Sequence, residues 1–513
     1  MKRILLTLFA AVVVAGGLLT MGLPRARAER AIDFPHGLTW FNVARPLTLS
    51  ELHGRAVLLD FFTPGCINCI HMLPDERKLE EHFGTRLVVV GIDSPKFEAS
   101  KTKDGLLSFI ERYDLRHPVV LDPDMQMWNA YGVQAWPTLV LLGPDGNVAK
   151  TFIGEQSYEQ LAAPVEAALA SAPPVSKLSR LPLQPIAAKT RALAIPGGVA
   201  VSPSLIAIAD TGHNRIVLAD HAGKLVAVIG AGCPGRADGD YAHAQFNGPH
   251  GLAFHDGALY VADTDNQLIR RIDFAHKTVT TVAGNGERGF AIAGSFPARS
   301  AVLNSPWDVA WSGNALYVSM AGDHQIWRYD PADRTIGPWA GTGEEGLRDG
   351  ARGDAQFAQP SGISVHGDTL YDTDPESSSV RAIALPEGKV TTLIGHGLFD
   401  FGMRNGSASH AQLQHAEGVA WNAGSLYIAD TFNNALRKLD LATHQVSTVA
   451  ALLDRPLSVA ALAPDTLLVA EGDADRIDAV HLPDGKVTPW RIAGLTPPGT
   501  TACTAARAKT ARR

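Results

Sequence analysis

Between residues 206 and 470 one apolar phrase recurs six times, and recurrence at a near-constant spacing limits the fold of a chain more tightly than any other feature here. The copies are Ile206-Ala207-Ile208-Ala209-Asp210-Thr211, Leu259-Tyr260-Val261-Ala262-Asp263-Thr264, Leu316-Tyr317-Val318-Ser319, Leu370-Tyr371-Asp372-Thr373, Leu426-Tyr427-Ile428-Ala429-Asp430-Thr431 and Leu467-Leu468-Val469-Ala470. They stand roughly 40 to 57 residues apart, the period of a propeller blade built from four strands. Six copies predict six blades. The second copy shows its four strands directly, at 251–254, 259–262, 268–273 and 278–283, each bounded by Gly, Asp or Asn. Short strands stacked radially leave few free edges.

Residues 30–172 follow a different rhythm, alternating strands with helices. The run from Ala56 to Phe62 reads as a buried strand, 70–83 has helical spacing, and strands at 87–92 and 118–121 are separated by a helical stretch at 105–113. Strands at 138–142 and 148–153 flank Gly143-Pro144-Asp145-Gly146, a turn that joins an antiparallel hairpin, and 158–170 closes the unit as a helix. The outcome is an α/β sandwich with a mixed sheet. Residues 173–190, with four prolines, read as a linker; 191–495 form the six-bladed unit; 496–513, rich in Ala, Thr and Arg, read as a disordered tail.

A chain of 513 residues exceeds what one core serves, and 46% hydrophobic with 19% charged residues excludes a disordered chain. A net charge of −7 over this length offers no basic surface for phosphate backbones, so nucleic acid is excluded as a partner. Lys2 and Arg3 precede an apolar run over 4–23 and then Ala26-Arg27-Ala28, so residues 1–28 read as a secretory signal cut after Ala28. The run is nearly long enough to span a bilayer, so an uncleaved membrane anchor is the other reading. Both deliver the body across a membrane and predict an exported protein of an oxidising compartment such as the bacterial periplasm, soluble or tethered through its N-terminus.

Of four cysteines only Cys66 and Cys69 are close in sequence, and Cys233 and Cys503 read as bystanders. Directly after a buried strand and at the first turn of a helix, Cys66 lies beside unpaired backbone N–H groups and the positive end of the helix dipole, which stabilise a thiolate. Cys66 is the expected nucleophile and Cys69, one turn on, the resolving thiol; the pair cycles as a redox-active disulfide with no further cofactor. Asp60 sits in an apolar strand six residues earlier, where burial raises its pKa and lets it accept the Cys69 proton. A cis bond in Trp136-Pro137-Thr138 would turn backbone groups toward the sulfurs, which makes Trp136 and Thr138 expected substrate contacts. A zinc site needs about four ligands, and no second Cys or His pair stands at suitable spacing. Haem attachment would need His where Ile70 stands, and peroxidase chemistry a proline at Leu59, four residues before Thr63. His71 and His82 read as solvated.

The run Asp60-Phe61-Phe62-Thr63-Pro64-Gly65-Cys66-Ile67-Asn68-Cys69, with Pro137-Thr138 and the Gly-Pro-Asp-Gly hairpin, resembles the thioredoxin superfamily, particularly its TlpA-like and redoxin branches, over residues 40–170. That resemblance implies Cys66 and Cys69 as the redox pair, Asp60 as the buried carboxylate and Pro137 as the cis-proline. Ile67-Asn68 replaces the Gly-Pro or Pro-Pro usual between the cysteines, so the family's reduction potential does not transfer.

The repeats resemble the NHL family in Ala262-Asp263-Thr264-Asp265-Asn266 with Ile269-Arg270, and in Ala429-Asp430-Thr431-Phe432-Asn433 with Leu436-Arg437; blades three, four and six depart from this pattern. The recurring Asp and Arg point to turns and inter-strand bridges. Some propellers of this family hold a catalytic metal in the central channel through histidines. The equivalent positions here are Gly197, His250, Trp307, Ser361, Glu417 and Leu457, and a single histidine cannot build that site, so no metal is expected. The pore mouth near His250, Trp307 and Glu417 is the expected protein-binding surface. The sequence therefore predicts an α/β thioredoxin-like domain followed by an all-β six-bladed propeller of NHL type. Its expected function is an exported thiol-disulfide oxidoreductase acting on protein thiols or disulfides, with an unidentified recycling partner. The alternative is a scaffold in which the propeller carries the function and the thioredoxin fold is structural.

Overall fold

The computed structural model describes residues 30–171, 178, 180–187, 190–385 and 387–499. The expected signal or anchor at 1–28, Cys503 and the tail beyond 499 lie outside the described residues. Among the described residues no helix is long and apolar enough to cross a membrane.

The N-terminal unit runs β1 (Thr39–Phe41), α1 (Leu49–Leu52), β2 (Ala56–Phe62), α2 (Ile67–Phe83), β3 (Leu87–Asp93), α3 (Lys103–Arg112), β4 (Val119–Leu121), α4 (Gln126–Ala130), β5 (Thr138–Leu142), β6 (Val148–Ile153) and α5 (Tyr158–Ala170). These strands form one sheet in the order β1-β4-β3-β2-β5-β6, with β2, β3 and β4 parallel and the other pairings antiparallel. Strands β2 and β3 are buried along their whole length, as parallel strands covered on both faces must be. Alternation along β2 sends Val57, Leu59 and Phe61 into one core, and Ala56 and Leu58 into a second with Met72, Leu79 and Phe83 of α2. Each of these Val, Leu, Met and Phe side chains contributes about 1.5–3 kcal/mol by leaving water. By the same alternation Asp60 falls on the α2 side, which delivers a carboxyl to the cysteine helix.

The stretch expected as a linker is not free where it is described. Ala44 N donates to Pro182 O at 2.8 Å, Gln184 N to Asn42 O at 2.7 Å and Ile186 N to Asn42 Oδ1 at 3.0 Å. Extended, proline-containing backbone exposes its polar groups, and the buried Asn42 satisfies them just past β1.

The C-terminal unit consists of six antiparallel sheets, whose innermost strands are Pro196–Val201, Pro249–His255, Pro306–Ser312, Ile363–His366, Gly418–Asn422 and Pro456–Ala463. These strands line a central channel. The ring closes where Ala493 N donates to Gly223 O at 2.7 Å and Leu225 N to Ala493 O at 3.3 Å, which ties the segment after blade six to the outer strand of blade one. Beyond it Thr496 O accepts from Arg215 Nη2 at 3.2 Å, so the chain stays attached past the expected start of the tail. Cys233 is disulfide-bonded, which corrects its reading as a bystander.

The repeated motif has a mechanical explanation. Asp430 Oδ1 accepts from Gln414 N, and its Oδ2 accepts from Asn433 Nδ2 and Arg437 Nη1 at 2.8 and 2.7 Å; Asp263 makes the same set with Asn247, Asn266 and Arg270. The adjoining threonine stitches blade to blade. Thr211, Thr264 and Thr431 donate to Pro249 O, Pro306 O and Pro456 O of the following blade at 2.6, 2.7 and 2.8 Å. Both charges of each Asp–Arg pair are buried, so removing one member strands the other. Arg437→Ala should lower unfolding stability by about 3–5 kcal/mol in urea titration, whereas Lys438→Ala, next along the strand and paired only loosely with Asp440, should cost less than about 1 kcal/mol.

Candidate active site

Strand β2 ends at Phe62, and Thr63, Pro64 and Gly65 carry the chain into α2. Gly65 has φ +95°, a conformation that favours glycine, and a side chain there would run into the ring of His415. Cys66 is the N-cap of α2, its Sγ accepting from Cys69 N at 3.3 Å, so one of the helix's unpaired amides points at the first sulfur. Both cysteines are free, and the Cys69 thiol donates to Cys66 Sγ over 2.7 Å. Burial, the hydrogen bond to Cys66 and the charges of Cys66 and Asp60 push the Cys69 thiol well above its usual range. The arrangement is directional: donors aim at the first sulfur, and the second keeps its proton until a base takes it.

Asp60 is the group placed to act as that base. Burial lifts its carboxyl to about 7, against the opposing effects of the His117 charge and a hydrogen bond from Glu76. A base poised near the working pH combines availability with driving force. The Trp136–Pro137 peptide is cis, and Trp136 packs on the apolar cluster that contains Cys66 and Cys69 while its Nε1 donates to Ser94 O at 2.9 Å. Thr138 is buried and its hydroxyl donates to Ala135 O at 2.7 Å, which uses the hydroxyl within its own turn.

The propeller presses its blade entry loops onto this site. Shortly before each inner strand stands one residue with positive φ: Ile195 (47°), Gly248 (57°), Ser305 (55°), Gln359 (70°), His415 (50°) and Arg455 (57°). Five of these are not glycine, and left-handed backbone costs such residues roughly 1–2 kcal/mol, so surroundings must hold them there. Four reach across to the thioredoxin-like unit. Ser305 Oγ meets His71 Nε2 at 2.8 Å, and Arg455 Nη1 donates to Ser108 Oγ at 3.2 Å. His415 lies on Gly65. Gln359 Nε2 donates to Gly65 O and its Oε1 accepts from Ile67 N, both at 2.9 Å, so one side chain grips the peptides on either side of Cys66. Lys96 Nζ donates to Glu376 Oε2 at 2.5 Å and to Glu376 O at 3.0 Å. Burial raises Glu376, but Lys96 and His415 outweigh it and hold the carboxyl at about 2. Ile67 packs against Trp307 and Ala321. Under this cap Cys66 is 8% and Cys69 2% exposed.

The cap corrects two readings of the sequence. His250, Trp307 and Glu417 do come together at the pore mouth, but around Arg112, the last residue of α3. Arg112 Nη2 donates to His250 Nε2 at 2.8 Å, its guanidinium lies 5.6 Å over the Trp307 ring, and Nη1 stands 4.0 Å from Glu417 Oε2. With 5%, 7% and 5% exposure these three face the chain's own helix and are not open to a separate protein. His71 is buried rather than solvated, held by Glu155 Oε1 at 2.7 Å and by Ser305. A cavity of about 460 Å3 runs beside Asn68, between Glu155 and the propeller residues Arg288, Phe290, Asn304 and His324. The sequence reading missed Lys96, Arg112, Gln359 and His415, as well as Glu76 and His117 behind Asp60. One signal could have found Gln359: an X-Pro pair opens five of the six blades, as Ile195-Pro196, Gly248-Pro249, Ser305-Pro306, Gln359-Pro360 and Arg455-Pro456.

Residues 54–148 match a family model described as thioredoxin-like, and residues 246–272 match the NHL repeat. NHL repeat-containing protein 2 of Bos taurus is 37% identical over 458 residues, 82% of this chain and 63% of that protein. Protein SUPPRESSOR OF QUENCHING 1, chloroplastic, of Arabidopsis thaliana is 36% identical over 508 residues, 91% of this chain and 48% of that protein. Thiol-disulfide oxidoreductase ResA of Bacillus anthracis is 30% identical over 117 residues, 23% of this chain and 65% of that protein. The chain thus combines a thioredoxin-like domain with an NHL propeller, resembles NHL repeat-containing protein 2, and spans less than two thirds of each of these relatives.

The cap sets the access of reagents to Cys66. A bulky maleimide should modify Cys66 roughly tenfold faster or more in the Gln359→Ala, His415→Ala double variant than in the native chain, since the two hydrogen bonds from Gln359 to the cysteine loop are worth about 1 kcal/mol each and the His415 ring covers Gly65. Equal rates by mass spectrometry would mean that these residues do not hold the cap. The raised Asp60 pKa has a stability signature. A carboxyl lifted from 3.8 to about 7 on folding favours the folded state in acid, and that contribution is lost as pH rises between those values. Asp60→Asn should therefore flatten the fall in unfolding free energy, measured by urea titration from pH 5 to pH 7, relative to the native chain by about 1 kcal/mol per pH unit.

Proposed function

We propose that the chain is an exported thiol-disulfide oxidoreductase whose propeller caps the redox pair and restricts which disulfides reach it. The observation that carries this reading is the ordered set of Cys66 at the amino end of α2, the Cys69 thiol 2.7 Å away, and behind them a carboxyl of pKa about 7. The similarity to ResA, whose name gives this activity, supports it, and the disulfide at Cys233 supports an oxidising compartment.

In the reducing direction the Cys66 thiolate attacks one sulfur of a substrate disulfide, expelling the other as a thiolate and leaving a mixed disulfide. Asp60 takes the proton of Cys69. The Cys69 thiolate then attacks Cys66 Sγ, closes the Cys66–Cys69 bond and releases the second substrate thiolate. Two electrons pass from the dithiol to the substrate, and the reverse sequence oxidises a client and returns the pair to dithiol. Clients are protein or peptide disulfides, and a separate recycling partner restores the pair. A folded client must displace the cap, whereas a small disulfide has less to displace, so the propeller sets client choice.

The reduced full chain, incubated anaerobically with insulin or a small aromatic disulfide, should become oxidised stoichiometrically at Cys66–Cys69. Cys69→Ser should trap a mixed disulfide at Cys66, and Cys66→Ser none. A Cys66→Ser, Cys69→Ser variant that rescued a null strain as well as the native chain would instead establish the scaffold role.

A further inference from the structure

Helix α2 carries a second acid toward Asp60. Glu76 stands two turns after Cys69, and residues seven apart share a helix face. It is 0% exposed, and among the described residues neither of its oxygens reaches a backbone amide or a cationic side chain. The group it meets is the Asp60 carboxyl. Two carboxyls in contact in a dry interior share one proton, because a second negative charge beside the first has no solvent to stabilise it.

The surrounding charges decide which acid holds that proton. Asp60 also faces His117, whose positive form favours an ionised Asp60, and its own charge acts on the Cys69 thiol. Glu76 faces Asp75 and Glu80 on its own helix, and both oppose its ionisation. His117 Nδ1 stands 3.5 Å from Glu80 Oε2, the outer acid of that helix.

We infer that Glu76 is a positioning residue for thiol exchange, its neutral carboxyl donating its O–H to the Asp60 carboxylate and so holding Asp60 in the form that accepts the Cys69 proton. The inference rests on the reading of Cys66 and Cys69 as a redox pair. In the resolving step the Cys69 proton moves to Asp60, the electron pair left on Cys69 forms the bond to Cys66, and the bond from Cys66 to the substrate sulfur breaks with its pair. The Glu76 proton stays on Glu76 throughout. A capped site gives such a donor its use, because water, the ordinary hydrogen-bond donor to a carboxylate, is excluded from behind the sulfurs.

The test follows the resolving step alone. The full chain is loaded at Cys66 as a mixed disulfide with thionitrobenzoate, and release of the coloured thiolate is timed from pH 5 to 9. Glu76→Leu, which removes the donor, should raise the pH midpoint of the release rate by about one to two units. Glu76→Gln keeps a neutral donor of the same shape and should leave the midpoint within about 0.3 units of the native chain. Because Leu suits this interior better than a carboxyl does, Glu76→Leu should fold at least as well as the native chain. At neutral pH, an infrared difference spectrum of native chain minus Glu76→Gln should show a protonated-carboxyl band. An unmoved midpoint in Glu76→Leu, an equal shift in Glu76→Gln, or no such band would each overturn the inference. A native chain that never releases the thiolate would overturn the redox reading as well, whereas a normal native profile with no Leu effect overturns this inference alone.

Discussion

Gln359 satisfies the peptide oxygen before Cys66 and the peptide nitrogen after it, and much of the architecture on both sides serves to bring that one amide into place. Its own nitrogen donates to His324 Nδ1 at 3.0 Å, and burial drives the His324 ring down to about 4, so that it remains a neutral acceptor near neutrality. Its carbonyl accepts from Ser361 Oγ at 3.1 Å. The left-handed backbone at 359 turns the side chain out of the propeller. Helix α2 thereby has one of its free amino-end amides paired from another domain, where an isolated domain of this fold would offer it to solvent or substrate.

The rest of the contact joins apolar packing to buried charge: Phe97, 0% exposed, packs on Phe401 and Phe432, and Ile67 on Trp307. Lys96 with Glu376, and Arg112 with His250 and Glu417, place charges in a nearly dry seam. Such groups contribute little net attraction, because they give up water to meet, but they are costly when mismatched. A seam of this kind favours one docking arrangement over near neighbours.

The helices and strands of the thioredoxin-like unit were legible wherever a run of apolar residues had length and period. β2, β5, β6 and α5 follow the expected spans, and β2 sends Asp60 toward the cysteines through simple alternation. β1, α1 and α4 were not anticipated because three to five residues cannot display a period. Propeller strands were legible because the phrase recurs, and the Asp, Thr, Asn and Arg of the motif proved to be bridges within and between blades. The seam was not legible. His250, Trp307 and Glu417 were correctly placed at the channel, but nothing local in their sequence says that Arg112, well over a hundred residues earlier than any of them, closes over them. Glu76 and His71 look like ordinary helix-surface residues in a run containing Asp75, Arg77, Glu80 and Glu81, and their burial follows only from packing against β2 and the propeller.

The ring of left-handed entry residues carries a consequence of pseudo-symmetry. Six near-equivalent blades offer a docking domain six rotational settings of almost the same shape, and shape alone would leave them degenerate. The residues that occupy the equivalent ring positions are all different: isoleucine, glycine, serine, glutamine, histidine and arginine. Only one setting brings the glutamine over the cysteine loop, the serine to His71 and the arginine to Ser108 at once. Divergence among the repeats, which weakens the motif when it is read blade by blade, is thus what gives a round surface a unique orientation, as the unequal teeth of a key index a lock.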